Sequence, residues 1–399
     1  MKLSIPREEI VVRGFSFSGV ACGLKDEGQK DVALIVADRP AAAAGAFTTN
    51  LFAAAPVVIA RERLRSGRVQ AVLVNTKSAN AGTGAAGLAR ARACCTLTAK
   101  LLNVPERGVV PCSTGKIGLP LSWTKVSKGI RSAVAALSPG GLWDAAEAIR
   151  TTDAFAKVAV RRISIGGKQV TIAGLTKGAG MIHPQMATTL CYVLTDAGCS
   201  PVVLRKVLRY GLAGSFNAMS VDGDTSTNDT ALLLASGASG AEVSPRSPAK
   251  FAGAVAEVLG ELATMIVADG EGASKLARVV VRGARSPDDA ERAARAVANS
   301  MLVKTAIHGA DPNWGRIACA LGYSGARFRP EQTEIRIGGV VVSRRAAGAG
   351  KAAERRARRA MQGRELEIVV DLGAGGEEAA ILTCDLGVDY VRFNSDYTS

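Results

Sequence analysis

The sequence predicts an α+β fold, a layered αββα-type sandwich of mixed sheets flanked by helices, and three observations lead to it. Short strand-like runs recur along the whole chain of 399 residues. Two pairs of these runs are joined by Gly-Gly at 166–167 and 338–339, a turn that tolerates positive φ at both positions and links antiparallel strands. Helical segments are mixed with these hairpins, which argues against a doubly wound parallel sheet.

The predicted strands are runs of β-branched, aromatic and apolar residues bounded by turn residues. They span residues 31–37, 69–75, 158–165, 170–175, 188–194, 277–281, 334–337, 340–343 and 367–371.

The predicted helices carry clear start signals. Ser-Pro pairs at 200–201, 247–248 and 286–287 each combine a good N-cap with proline at the first helical position. The third pair is followed by two aspartates and by an apolar stripe with helical spacing. Segment 85–102 reads as a further helix, and 352–367 presents an arginine-rich helix face.

The composition indicates a globular protein with a sizeable aliphatic core. Hydrophobic residues make up 48% of the chain and aromatic residues only 4%, so the core must be built from Ala, Val, Leu and Ile. Residues 1–10 do not resemble a signal peptide, and the apolar stretches at 41–47 and 51–60 are interrupted, so a soluble, cytoplasmic protein is expected. The eight cysteines include no CxxC pair, which favours buried free thiols over a zinc site or disulfides.

The net charge of +15 raises the question of nucleic acid. The densest basic cluster, at 352–367, lacks interleaved aromatic residues for stacking on bases. The sequence therefore predicts no nucleic-acid partner, and the positive field is better explained by attraction of small anions or by solubility.

Several kinds of catalytic site are excluded by what the sequence lacks. His183 and His308 are its only histidines, so a three-histidine metal site is impossible, and we expect neither a metal ion nor a resident cofactor. No Walker A sequence occurs, and no GxGxxG follows a strand, so nucleotide phosphate binding has no support. What remains is a nucleophile that needs no histidine.

Thr188 is such a nucleophile if the chain is cut before it. A glycine-rich loop at 178–187 runs abruptly into strand-like residues through Ala187-Thr188. An N-terminal threonine combines an attacking hydroxyl with an α-amine of pKa about 8 that serves as base. The hydroxyl can create that terminus by attacking the preceding carbonyl, and the small Ala187 leaves room for this. An ordinary loop followed by a core strand explains the same residues.

Two further segments suit such chemistry. The Ser-Thr-Gly turn at 113–115 can aim a hydroxyl and a backbone N–H at one point, as an oxyanion hole requires. The polar loop at 75–87 suits a carboxylate or phosphate at a helix N-terminus. Most turns like the first have no such role, and an ordinary strand-to-helix loop explains the second equally well. Glu271 is flanked by two glycines, and no local structural role explains a charged residue there. The aspartate-rich run at 220–230 lacks the spacing of a calcium-binding loop and is interpreted as turns and helix caps.

Taken together, these segments resemble the ornithine acetyltransferase family, the glutamate N-acetyltransferases of arginine biosynthesis, whose members cleave themselves at an Ala-Thr bond. The resemblance covers essentially the whole chain. The runs that carry it are 177–196, 113–115, 151–153, DGDTSTND at 222–229, DGEG at 269–272, DPNWGR at 311–316 and NSDYTS at 394–399.

The resemblance implies self-cleavage between Ala187 and Thr188. It implies an α chain of residues 1–187 and a β chain of residues 188–399 that stay together, usually as an α2β2 assembly. Acetyl from N-acetylornithine would move to Thr188, ornithine would leave, and glutamate would take the acetyl group in a ping-pong cycle. Some family members also use acetyl-CoA as donor, and one sequence does not separate the two kinds.

The resemblance also implies roles for individual residues. Thr114 and Gly115 match the oxyanion-hole pair. Lys177 and Glu271 supply the complementary charges that a ligand with both amine and carboxylate needs. The positions that match substrate contacts are Thr152, Lys177, Thr188, Glu271, Asn394 and Ser399.

Some positions depart from the family pattern. Lys77 and Ser78 stand where glycine and asparagine are more frequent, and Lys116 occupies a position that is usually apolar. His183 is interpreted as loop packing, with help in cleavage as the alternative. Two other functions are left open: a self-processing threonine aminopeptidase or amidase of similar fold that uses water as acceptor, and a non-catalytic basic binding protein that stays uncut.

Overall fold

The computed structural model describes residues 8–26, 28–183 and 189–396. These residues form two compact units. The first unit comprises the chain up to residue 217 together with 224–266, and the second comprises 218–223 together with 267 onward.

Each unit contains one β-sheet with helices packed on it. The strands are β1 (Phe15–Val20), β2 (Val32–Phe47), β3 (Arg68–Asn75), β4 (Val109–Ser113), β5 (Lys157–Ile165), β6 (Lys168–Lys177), β7 (Leu190–Thr195), β8 (Met219–Ser220), β9 (Thr230–Ala235), β10 (Leu276–Ala284), β11 (Glu334–Ile337), β12 (Val340–Arg344), β13 (Ala347–Gly348), β14 (Glu365–Asp371) and β15 (Glu377–Cys384). The helices are α1 (Ala55–Leu64), α2 (Gly84–Leu102), α3 (Trp123–Ala135), α4 (Leu142–Ile149), α5 (Pro201–Ala213), α6 (Ala249–Ala268), α7 (Pro287–Asn299), α8 (Met301–His308), α9 (Trp314–Gly322), α10 (Lys351–Ala360) and α11 (Val388–Asp396).

The sheet of the first unit has the order β4-β3-β2-β9-β7-β6-β5, with β1 paired to β2. It is mixed, because β3–β4 and β7–β9 are parallel and the other pairs are antiparallel. Alternate residues of β2 and β3 enter two different core clusters, one shared with α4 and the other with α2 and α3. Alternation of this kind follows from the two-residue period of a strand and lets helices cover both faces.

The sheet of the second unit has the order β13-β12-β11-β14-β10-β15-β8 and is also mixed. The apolar stripe predicted for α7 packs on it: Ala290, Ala293 and Val297 are fully buried in one cluster with Val279 and Val281 of β10. Two mixed sheets flanked by helices confirm the predicted α+β class.

Local sequence signals were reliable where they involved turns and caps. The Gly-Gly turns at 166–167 and 338–339 connect β5 to β6 and β11 to β12, and all four glycines have positive φ. The Ser200 hydroxyl accepts a hydrogen bond from the Val203 N–H at the start of α5, and Ser286 does the same for Asp289 in α7.

The strand prediction at 31–37 was too short. Strand β2 continues for 16 residues through Pro40, and its pairing with β3 shifts register between Val36 and Ala41. A proline that breaks a strand pattern is tolerated at such an irregularity, because no ladder hydrogen bond is required of it there. The predicted strand 188–194 corresponds to β7, which begins at Leu190, while Thr188 lies outside the described residues.

Among the described residues, α6 is the one helix whose length and apolar composition would allow it to cross a membrane. Val255, Val258 and Leu262 of α6 are fully buried. Leu262 and Val258 lie so close to Gly174 of β6 that an added Cβ would approach them to 2.7 and 2.8 Å. The hydrophobicity of α6 is therefore that of a core helix packed on a sheet, and the longest apolar segment is this helix, not the stretches at 41–47 and 51–60.

All eight cysteines are free thiols, as predicted, but they are not all buried. Cys319 is exposed on α9, and Cys22 and Cys199 are half-buried.

A buried ion pair fixes the turn between α4 and β5. The Asp153 carboxylate accepts a hydrogen bond from Lys157 Nζ at 2.7 Å, and both side chains are completely buried. Burial by itself raises the pKa of a carboxyl, but the charges of Lys157 and Lys177 and several hydrogen bonds outweigh it and hold the pKa of Asp153 well below its ordinary range. Asp153 is therefore a carboxylate in the folded chain.

Replacing Lys157 by methionine should destabilise the protein by about 3–5 kcal/mol, because it leaves a buried carboxylate without its partner. The measurement is urea unfolding at neutral pH. The control is Arg161→Met in the same strand, which removes partly exposed pairs with Glu257 and Glu261 and should change stability by about 1 kcal/mol or less. Adding Asp153→Asn to Lys157→Met should restore part of the loss, and equal losses for the Lys157 and Arg161 variants would contradict the assignment.

Candidate active site

The Ser113–Gly115 turn follows β4 and is held by Asn75, the last residue of β3. The Ser113 hydroxyl donates to Asn75 Oδ1 at 2.6 Å, and the Thr114 N–H donates to the Asn75 carbonyl at 3.0 Å. The backbone N–H of Thr114 is therefore already used. The donor that Thr114 can offer to a ligand is its side-chain hydroxyl.

Gly115 supplies a second donor. Among the described residues, none accepts a hydrogen bond from the Gly115 N–H. Gly115 has φ +126°, and a Cβ at this position would lie 2.4 Å from the carbonyl of Lys77. Glycine is therefore required for the close approach of the two loops.

The residues that depart from the family pattern, Lys77, Ser78 and Lys116, lie where these two loops contact each other. The Lys116 N–H donates to the Lys77 carbonyl at 2.9 Å, and Ser78 forms a parallel bridge with Lys116. Their backbones hold the two loops together, while the side chains of both lysines are exposed.

Asn228 ties the segment before β9 to this turn. Its side-chain amide is buried and donates to the carbonyls of Ser113 at 2.8 Å and Ala79 at 2.7 Å. The two residues that follow Asn228 along the chain are Asp229 and Thr230, the latter being the first residue of β9.

The parallel pairing of β7 with β9 places Thr189 beside Asp229. Leu190 is in register with Thr230, and the Thr230 N–H donates to the Thr189 carbonyl at 2.9 Å. Thr189 is 1% exposed and Asp229 2% exposed. Ala187 and Thr188, the predicted cleavage site and nucleophile, lie outside the described residues, but Thr189 is covalently bonded to Thr188.

Lys177 lies at the same end of the sheet, on β6, which pairs with β7 on the side opposite β9. It is the last residue of β6 and is in register with Leu190 of β7. Its ammonium donates to the Thr151 hydroxyl at 3.3 Å, and the N–H of the following Gly178 donates to Asp153 at 2.7 Å. Thr152, the other predicted substrate contact at this end, is half-buried and lies between Thr151 and Asp153 in the chain.

Asp229 has an environment opposite to that of Asp153. Burial raises the pKa of Asp229 well above its ordinary range, against the charge of Lys177 and hydrogen bonds from Ser226 and Thr48. Within the described part of the chain, its Oδ2 is buried and has no hydrogen-bond partner. The buried environment of Asp229 therefore favours the protonated form of its carboxyl.

Two predicted substrate contacts lie in the second unit. Asn394, on α11, donates from its side-chain amide to Glu271 Oε2 at 3.1 Å and to the Tyr390 carbonyl at 3.1 Å. Gly272 has φ +69°, and a Cβ there would lie 2.4 Å from the Tyr390 nitrogen, so the loop after Glu271 packs closely on α11. The structure brings Glu271 and Asn394 together, whereas Ser399 lies outside the described residues.

No group of three His, Cys, Asp or Glu side chains in the described segments is arranged to hold a metal ion. His183, half-buried in the loop after β6, is the last described residue before the predicted cleavage site.

Sequence reasoning missed the residues that connect this site. Asp153, Asn228 and Asp229 were noticed only as parts of the resembling runs TTD and DGDTSTND. The second run was interpreted as turns and caps, because its acidic residues do not match a calcium loop. The signal that could have distinguished Asp229 is its position directly before an apolar run, where a carboxyl is carried into the core.

Comparison with known proteins identifies the family of the chain. The model of the ArgJ family matches residues 16–399. The arginine biosynthesis bifunctional protein ArgJ of Geobacter sulfurreducens is 48% identical over 389 residues, 97% of this chain and 99% of that protein. The protein of the same name from Symbiobacterium thermophilum is 48% identical over 390 residues, 96% of each chain.

A solved structure of the arginine biosynthesis bifunctional protein ArgJ from Bacillus halodurans shares 39% identity and a TM-score of 0.49, and the match covers 52% of this chain and 98% of the solved chain. The match of a family model to nearly all of the sequence is the decisive finding. The chain belongs to the ArgJ family, and this confirms both the predicted family and the predicted class of enzyme, an acyltransferase of arginine biosynthesis.

Proposed function

We propose that the protein transfers the acetyl group of N-acetylornithine to glutamate through an acetyl-threonine intermediate on Thr188. Autocatalytic cleavage between Ala187 and Thr188 makes the enzyme active and divides it into residues 1–187 and 188–399. The products are ornithine and N-acetylglutamate, and the enzyme works in the cytoplasm without a metal or resident cofactor.

The observation that carries this proposal is the donor pair on the turn after β4. The Thr114 hydroxyl and the Gly115 N–H belong to one turn. Asn228 connects that turn to β9, the strand whose first residue is hydrogen-bonded to Thr189. Two fixed donors stabilise the negative charge that develops on a carbonyl oxygen under attack. The same pair serves the cleavage of the chain and the later acetyl transfer, because both pass through a tetrahedral intermediate.

The acetyl transfer has two halves. The Thr188 α-amine takes the proton of its own hydroxyl, the oxygen attacks the acetyl carbonyl, and the amine returns the proton to the departing ornithine nitrogen. Glutamate then attacks the acetyl ester with its amine, and Thr188 is regenerated. The acceptor enters a site that the first product has left, which gives ping-pong kinetics.

Charge complementarity supports an amino-acid substrate. Lys177 provides a cation for a carboxylate at the end of β6, where Thr152 adds a hydroxyl. Glu271 provides an anion for an ammonium group, and Asn394 holds that carboxylate by its amide. Ser399 completes the proposed set of substrate contacts.

The sheet of the first unit supports stable association of the two fragments. A cut before Thr188 leaves β7 hydrogen-bonded to β6 of one fragment and to β9 of its own. Leu190, Tyr192 and Leu194 of β7 are each at most 1% exposed in the core. Separation of the fragments would break the sheet and expose this core, so we propose that the two fragments stay together. We further propose that two such pairs form an α2β2 assembly.

The word bifunctional in the names of the relatives supports a second reaction, acetylation of glutamate from acetyl-CoA as co-substrate. The same acetyl-threonine intermediate would serve both donors. The alternative of a threonine amidase has the same nucleophile and differs only in passing the acyl group to water.

Thr188→Ala should give one uncut chain of about 41 kDa and no acetyl exchange, because hydroxyl and self-made amine are both lost. The wild type should give two bands on a denaturing gel, with one fragment starting at Thr188 by N-terminal sequencing. Fully active wild-type protein with an intact 187–188 bond would overturn the proposal.

Thr114→Ala should slow acetyl transfer per cleaved chain by about 10²–10³-fold, because one oxyanion donor is removed. Thr114→Ser is the matched control, since it keeps the hydroxyl and should stay within about tenfold of the wild type. Normal turnover of Thr114→Ala in a steady-state assay would discard the oxyanion role.

Label from N-[14C]acetylornithine should appear in N-acetylglutamate when glutamate is present, because the acetyl ester is held for an amine acceptor. Chromatography of the products measures this. Label found mainly in free acetate would favour the amidase instead, and labelled acetyl-CoA tests the second donor in the same assay.

A further inference from the structure

Self-cleavage has a requirement that the later acetyl transfer does not share. In the mature enzyme the Thr188 α-amine can accept the hydroxyl proton, but in the uncut chain this nitrogen belongs to an amide and is not basic. The hydroxyl must nevertheless lose a proton, and the amide nitrogen must gain one before it can leave. Another group has to move that proton.

Asp229 is positioned for this task. It lies beside Thr189 because β7 and β9 pair in parallel, with the Thr230 N–H bonded to the Thr189 carbonyl. Its backbone is held from the opposite side, where the Thr48 N–H donates to the Asp229 carbonyl at 3.0 Å. The backbone of Asp229 is thus held beside Thr189, the residue that follows Thr188 in the chain.

Two buried polar atoms at this edge of the sheet lack hydrogen-bond partners among the described residues. In the described part of the structure, neither Asp229 Oδ2 nor Thr189 Oγ1 has a hydrogen-bond partner, although both atoms are shielded from water. Leaving a buried polar group unsatisfied costs about 1–3 kcal/mol, so such groups call for an explanation other than stability.

Two other ionisable groups at this end of the sheet, Asp153 and Lys177, have different tasks. Asp153 is an ionised carboxylate occupied by Lys157 and by the Gly178 N–H. Lys177 donates to Thr151, and as a cation it can give a proton but has no acceptor atom with which to receive one.

We propose that Asp229 is the proton-transfer group for self-cleavage before Thr188 and is not needed once the α-amine exists. The inference rests on the proposed cleavage at this bond. A protonated carboxyl carries one donor and one acceptor oxygen, so it can give and receive a proton in the same step.

The step balances as follows. The Thr188 oxygen forms a bond to the Ala187 carbonyl carbon, and its hydroxyl proton passes to the unprotonated oxygen of Asp229. The proton already on Asp229 passes to the Thr188 nitrogen, and the carbon–nitrogen bond breaks. The products are an ester, a primary amine and an Asp229 carboxyl in its original state. Water then hydrolyses the ester to the Ala187 carboxylic acid and the free Thr188 hydroxyl.

The test follows cleavage of freshly translated full-length chains on a denaturing gel. Asp229→Asn should cleave at least 10²-fold more slowly than the wild type, because asparagine keeps a donor and an acceptor but cannot exchange a proton. Asp224→Asn, the same change at an exposed position of the same loop, should cleave at the wild-type rate. Wild-type cleavage by Asp229→Asn would overturn the proposal.

A second readout separates proton transfer from a structural role. Once cleaved, Asp229→Asn chains should exchange acetyl groups within about threefold of the wild type per cleaved chain. A loss of turnover that parallels the loss of cleavage would also overturn the proposal. Thr188→Ala in the same experiment tests the proposed function separately, since cleavage of that variant would refute the nucleophile whatever Asp229 does.

Folding is checked on chains that cannot cut. Thr188→Ala with Asp229→Asn should unfold at a temperature no lower than that of Thr188→Ala alone, because asparagine has the same size and removes the cost of burying a carboxyl whose pKa is raised. If the asparagine variant does not fold, Asp229→Glu carries the test. A folded glutamate variant should retain measurable cleavage because it keeps a carboxyl, and its complete absence would contradict the assignment.

Discussion

The parallel pairing of β7 with β9 is the constraint on which the site depends. Parallel strands begin at the same edge of a sheet, so the residues that precede them, Thr189 and Asp229, lie side by side. Strand β6 runs antiparallel to β7 and brings Lys177 to that edge. The ends of three strands therefore meet at the edge where the chain is proposed to cut itself.

Two buried carboxyls at this edge show how environment divides one chemical group into two roles. Asp153 is compensated by Lys157 and has a lowered pKa, whereas Asp229 is compensated incompletely and has a raised one. The charge of Lys177 acts on both in the same direction, so the difference comes from Lys157 and from hydrogen bonds. Carboxyls whose pKa values are pushed apart in this way are typical of acid–base sites.

A cut inside a sheet is compatible with a stable enzyme because sheet stability does not depend on chain continuity. The bond before Thr188 lies within the first compact unit, not between the two units. Strand β7 is hydrogen-bonded both to β6, which precedes that bond in the chain, and to β9, which follows it. The predicted fragments 1–187 and 188–399 therefore do not correspond to the two compact units.

The sequence alone determined what is local: the Gly-Gly hairpins, the Ser-Pro helix starts, the apolar stripe of α7 and the shortage of histidine that pointed to threonine. It also carried the family motifs, because such runs are read without knowing how they meet. Only the tertiary structure decided that β2 continues through Pro40, that Asn228 lies beside the turn at 113–115, and that Asp229 lies beside Thr189. Those relations depend on strand order and register between distant segments, and the burial that changes a carboxyl's pKa exists only after they have packed together.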